Sequence, residues 1–188
     1  MDVQIRQTVN PEKGIAVKII RVTDSRVFEK APRQPSIPSL RDGAIDNRAI
    51  TSRAIARKRN GYGKALGDIV LPEGRTVEML VAEALTKAFR DAGYQVAGSN
   101  DTTTVAIPVE AEIEQFWSWI TPGAWSIGVF FETTVNIKCD LASFKSGEKV
   151  SGKIHLQSQA VTTRAWSNTI NKGIEAFINE MKNRLPKQ

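Results

Sequence analysis

The clearest alternation of apolar and polar positions lies between Thr76 and Gly93. Val77, Leu80, Val81, Ala84, Leu85, Ala88, Phe89 and Ala92 recur at steps of three and one, drawing one apolar stripe along a helix over 77–92. Thr76 is placed as its N-cap, Glu78 suits the positive first turn, and Gly93 can adopt the left-handed conformation that stops it. A second stripe, Trp166, Ile170, Ile174, Phe177, Ile178, Met181 and Leu185, predicts a helix over about 165–184.

Between the helices the period changes to two. Val105, Ile107, Val109, Ala111 and Ile113 alternate with Glu110, Glu112 and Glu114, which predicts a strand over 104–116 with one wet face. Ile127, Val129, Phe131, Val135, Ile137, Cys139 and Leu141 then oppose Glu132, Asn136, Lys138 and Asp140. After a "KSGEK" turn, Val150, Ile154 and Leu156 oppose Lys153, His155 and Gln157, so three successive strands form an antiparallel meander. Upstream, 15–24 reads as a further strand and "YQVA" as a short extended element. Residues 28–47, with Pro32, Pro35, Pro38 and Gly43, read as a long loop. In 48–71, Asn60-Gly61 between two apolar arms favours a β-hairpin, with a helix over 46–58 as the alternative. The expected architecture is α+β: a two-layer sandwich of a mostly antiparallel sheet with two amphipathic helices on one face, in a single domain preceded by an arm or tether at 1–14.

Charge changes this picture at one place. The 188 residues carry a net +6, but residues 1–72 hold 14 Lys/Arg against 7 Asp/Glu while 73–188 hold 12 against 13. The basicity peaks in "ARKRNGYGKALGDI", residues 56–69, where neither GxxxxGK[ST] nor a strand-to-helix GxGxxG is present, so no phosphate-cradling loop is read. Arg53, Arg57, Lys58, Arg59, Tyr62 and Lys64 are instead candidate partner-binding residues. The turn in "FWSWITPGAWSIGVFF", 116–131, is expected to display Trp117, Trp119 and Trp125 at one end of the sheet, as a partner interface or a lipid boundary.

Catalytic chemistry finds little footing. One histidine and one cysteine supply no zinc set, and the alternating glutamates occupy a strand's solvent face rather than a calcium loop. His155 lies on a polar face and Cys139 on an apolar one, so neither is placed as a base or a nucleophile. No catalytic residue, cofactor or metal is expected.

"RTVEMLVAEALTKAFRDAGYQV", the acidic alternation "VAIPVEAEIEQF", the meander and the terminal helix resemble the YajG-type family of bacterial lipoproteins over about residues 15–185, with "DAGYQV" the most specific stretch. Auxiliary lipoproteins of ABC-type envelope transporters show a related arrangement. The resemblance implies a non-enzymatic cell-envelope protein facing the periplasm, anchored at the outer membrane through a lipidated N-terminal cysteine. No cysteine stands near Met1, so the anchor would precede Asp2. The expected partner is a protein, lipid or cell-wall component, in particular an anionic one. The alternative is a cytoplasmic nucleic-acid-binding module using the basic 48–64 segment.

Overall fold

The structure, a computed structural model, describes residues 1–41, 43–59 and 64–187. The strands are β1 (Ala16–Asp24), β2 (Ala54–Arg59), β3 (Ala65–Val70), β4 (Gln95–Val96), β5 (Ile107–Pro122), β6 (Ile127–Cys139) and β7 (Glu148–Ser158). The helices are the single turn α1 (Arg48–Thr51), α2 (Val77–Asp91) and α3 (Thr163–Arg184).

Both long helices form where their stripes predict. Thr76 caps α2 by accepting a hydrogen bond from the Met79 amide, and Gly93 follows its last turn at φ 91°. Thr162 caps α3 in the same way through the Ala165 amide. Thr76→Ala is expected to cost about 1 kcal/mol, read as a lowered urea midpoint at unchanged m-value, because it orphans one first-turn donor.

The strands join one sheet organised around β5. One edge of β5 pairs antiparallel with β6 from Val109 to Pro122, and β6 pairs antiparallel with β7, giving the expected meander. The other edge is shared by two strands set end to end. β1 pairs parallel along Ile107–Ile113, and β2 pairs parallel at Ala56↔Ser118. β4 adds parallel to β1, and β3 closes the antiparallel β2–β3 hairpin. The sheet is thus mixed, with its longest ladders antiparallel. Its helix-facing core contains Leu80, Ala84, Phe89, Val135, Ile170 and Phe177. The result is the two-layer α+β sandwich read from the sequence.

Three features differ from the sequence reading. The basic arm begins with one helical turn, not a helix over 46–58, and the Asn60-Gly61 turn falls outside the described residues. Val105 precedes β5 and is 98% exposed instead of turning inward. β5 also runs on through Pro122, and its register against β6 skips one residue between Ile113 and Gln115. That bulge exchanges the two faces of the strand. Before it the odd positions Val109, Ala111 and Ile113 join the main core; after it Phe116 and Ile120 do. Trp117 and Trp119 are therefore turned to the face away from the helices.

There the Pro-rich segment lies over the sheet and builds a second, smaller core. Leu40, Ala54 and Trp117 are buried in it, packed by Phe28, Ala44, Ile50, Val70 and Trp119. Trp117 Nε1 donates to the Pro35 carbonyl at 3.2 Å and Gln115 Nε2 to that of Ser36 at 2.8 Å, which ties the loop down.

At the junction of β1, β2 and β5 sits a buried ion pair. Arg26 and Asp24 side chains are 0% and 1% exposed. Arg26 Nε and Nη2 each reach an Asp24 carboxylate oxygen at 2.8 Å, and its remaining N–H groups reach the carbonyls of Thr51, Ala54 and Phe116 at 2.6–3.0 Å. All five guanidinium donors are thereby used.

The segment before β1 packs along α2. Val3 is fully buried, Arg75 Nη2 donates to its carbonyl at 2.9 Å, and Asn10 Oδ1 accepts from the Val96 amide at 2.8 Å.

Candidate functional site

The basic hairpin divides by strand parity. Along β2, Arg57 and Arg59 turn towards the Pro-rich segment, whereas Lys58 between them is exposed. Arg57 Nη1 donates to the Leu40 carbonyl at 2.7 Å, with Asp68 at ion-pair distance, 3.7 Å. Arg59 Nη2 donates to Ser39 Oγ at 3.1 Å, and burial together with the Arg57 charge pushes its guanidinium below the ordinary arginine value. Arg53, just before β2, donates from Nε to the Leu71 carbonyl at 2.9 Å. All three predicted arginines thus commit a donor inside the fold, and they fasten β2 to its neighbours. Lys58 and Lys64 remain at the surface, and Tyr62 falls outside the described residues.

The tryptophans divide as well. Trp117 is 1% exposed in the second core, so it is not displayed. Trp119 is half-buried and stacks on Phe130 at 5.4 Å between centroids and 5° between planes. Phe130 in turn stacks on His155 at 4.0 Å and 4°. These positions are cross-strand partners on β5, β6 and β7, so one row of rings crosses the sheet on the face away from the helices. Only Trp125, 91% exposed, stands out from the β5–β6 turn as expected.

That turn is held on both sides. The Gly123 amide donates to the Ser126 carbonyl at 2.9 Å, and Ser126 Oγ donates to Gln157 Oε1 at 2.6 Å. The Gln157 amide group reaches His155 Nε2 at 3.2 Å, which joins the turn to the ring row.

Register places several strand ends side by side. Arg59 lies opposite Ala65, Ala56 beside Ser118, and Ile127 opposite both Pro122 and Ser158. The end of β2, the start of β3, the β5–β6 turn, the end of β7 and the start of α3 therefore share one end of the sheet. The sequence stretches 47–67, 115–131 and 149–174 contain no Asp or Glu, while the carboxylate of Asp68 on β3, beside them, lines a pocket with Lys58 and Thr163 and is held by the Arg41 amide and near Arg57. Exposed Lys58, Lys64 and Arg164 lie on them, and Leu66 is 59% exposed. Arg164 and Leu66 were not singled out by sequence reasoning, because only the pairing of strands brings them to the same end of the sheet as Trp125.

The open face of the sheet carries ion pairs beside a shallow groove. A groove of about 320 Å³ on the open face of the sheet is lined by Ile20, Pro108, Glu110, Lys138, Cys139, Asp140 and Lys145. Arg21 pairs with Glu110 at 2.7 Å and Lys145 with Asp140 at 2.8 Å. Burial pushes the Cys139 thiol above its ordinary value, against a hydrogen bond from the Leu141 amide and with help from the Asp140 charge. A thiol so placed is a poor nucleophile. Among the described residues no group of His, Cys, Asp or Glu side chains could hold a metal ion, and no helix is long and apolar enough to cross a membrane.

No family model matches the chain, and no curated protein matches it significantly. Among solved structures it is similar to an uncharacterized protein, with a TM-score of 0.44 and 7% identity over 89% of this chain and 88% of that one. It is also similar to a Xanthomonas campestris protein of the DUF330 family, with a TM-score of 0.46 and 12% identity over 97% of this chain and 88% of that one. Likeness at this level says nothing about what either chain binds.

Proposed function

We propose that this chain is a non-enzymatic cell-envelope protein of the YajG-like lipoprotein type, facing the periplasm, that binds an anionic partner through the acid-poor end of its sheet. The observation that carries the binding half is the convergence there of Lys58, Lys64, Arg164 and Trp125 without one carboxylate on the contributing stretches. A surface of one sign raises the local concentration of a partner of the other. The envelope half rests on the order of elements and on "DAGYQV". The nucleic-acid reading of 48–64 is disfavoured by the fold, since Arg53, Arg57 and Arg59 are each tied down by a hydrogen bond, to Leu71, Leu40 and Ser39.

Two measurements test the proposal. The Lys58→Glu, Lys64→Glu, Arg164→Glu variant is expected to elute from immobilised heparin at clearly lower salt than Lys13→Glu, Lys30→Glu, Lys138→Glu, which makes the same change in net charge elsewhere on the surface. Equal elution of the two variants would show that net charge, not this site, governs binding. Fractionation of cells carrying the native gene should place the protein in the envelope; a cytosolic pool alone would overturn that assignment.

A further inference from the structure

We propose that the anionic partner is a lipid bilayer, and that the β5–β6 turn enters its headgroup region with Trp125 as the inserted side chain. This inference rests on the anionic-partner reading above and names its chemistry.

Trp125 is the least covered of the four tryptophans. Trp117 and Trp166 are 1% exposed, and Trp119 is stacked in the ring row. An indole combines a large apolar body with one donor, which suits the boundary between headgroups and hydrocarbon. The turn that presents it is closed by the Gly123–Ser126 hydrogen bond and braced against β7 through Gln157. A braced turn loses little freedom when it docks.

The surroundings favour lipid over other polyanions. No charged residue occurs from Gln115 to Phe131, so the turn brings no ionised group towards hydrocarbon as it descends. Leu66, 59% exposed at the start of β3, adds an aliphatic side chain at the same end, which suits hydrocarbon. Lys58, Lys64 and Arg164 stand back from the turn on β2, the β2–β3 connection and α3, where they meet phosphate groups while the indole goes deeper.

The full chain is mixed at low salt with phosphatidylcholine vesicles, with or without phosphatidylglycerol, and binding is followed by flotation and by tryptophan emission. Wild type is expected to float with the phosphatidylglycerol vesicles, with a blue-shifted emission quenched by brominated acyl chains. Trp125→Ala should weaken binding by about tenfold or more, as loss of one buried aromatic side chain implies. Trp125→Phe should fall between the two, and each charge reversal at Lys64 or Arg164 should cost about fivefold or more. Because Trp125 touches no core, Trp125→Ala should keep the wild-type thermal midpoint, which separates lost binding from lost folding. Vesicle binding that is absent, or unchanged in Trp125→Ala, overturns the lipid assignment. If vesicles fail while heparin or an oligonucleotide is still bound through Lys58, Lys64 and Arg164, the anion-binding end stands and its lipid partner falls. If none is bound, both readings fall.

Discussion

Arg26→Met is expected to lower stability by about 3–5 kcal/mol, read as the fall in the urea midpoint at constant m-value. Methionine reproduces the aliphatic stem but not the guanidinium head, so the loss is chiefly electrical and hydrogen-bonding, with a small void added. It leaves the Asp24 carboxylate, 1% exposed, without the two charge-assisted bonds that hold it at 2.8 Å. It also strands the carbonyls of Thr51, Ala54 and Phe116. Arg48, 3.7 Å from Asp24, is 61% exposed and too far for a hydrogen bond that could replace them. Arg26→Lys should recover only a small part, because three donors on one nitrogen cannot span a carboxylate and three carbonyls set around a planar fork. Adding Asp24→Asn to Arg26→Met should relieve the unpaired charge yet stay below wild type, since the three carbonyls still lack donors. A loss under about 1 kcal/mol for Arg26→Met would show that the pair is dispensable. The consequence reaches the candidate site, because Arg26 joins β1 to the start of β2, and β2 supports the basic hairpin.

Much of the scaffold that carries this site is legible in the sequence, and the exceptions have local causes. The α2 stripe comes with its own stop signals, Thr76 and Gly93, and the β6 alternation runs unbroken from Ile127 to Cys139. A single period with caps admits one reading. The stretch Phe116-Trp117-Ser118-Trp119-Ile120 is different. It is apolar at both parities because both faces of β5 are covered there, by the helices on one side and the Pro-rich segment on the other. Nothing in it marks the bulge that sends Trp117 away from the helices, and a turn displaying the rings is an equally natural reading. The absence of alternation was itself the available signal for a strand buried on two sides. The arginines could have been divided by the same period-two rule, which puts Lys58 opposite Arg57 and Arg59. Arg26 carries little local sign, because every hydrogen-bond partner beyond Asp24 is a backbone carbonyl brought in from another element.

Gly152→Ala is expected to cost about 1–3 kcal/mol, and to resist rescue, because α3 sits on the sheet through two glycines. A Cβ on Gly152 of β7 would stand 2.5 Å from the Gly173 carbonyl oxygen and 2.6 Å from the Phe177 amide nitrogen. Both are main-chain atoms of α3, which can yield only by lifting the helix. Gly173→Ala meets a different obstacle, since its Cβ would overlap the Phe131 ring, itself packed edge-on against Phe116 at 4.9 Å. A ring can be trimmed where a backbone cannot. Phe131→Leu should therefore recover part of the stability lost in Gly173→Ala and none of that lost in Gly152→Ala, so the two double-mutant cycles should differ in coupling by about 1 kcal/mol or more. Equal coupling in both cycles would mean that α3 shifts as a rigid body to accommodate either methyl group. That outcome would move Arg164, on the first turn of α3, relative to the β5–β6 turn, and Gly152→Ala would then also change vesicle binding although it lies remote from Trp125.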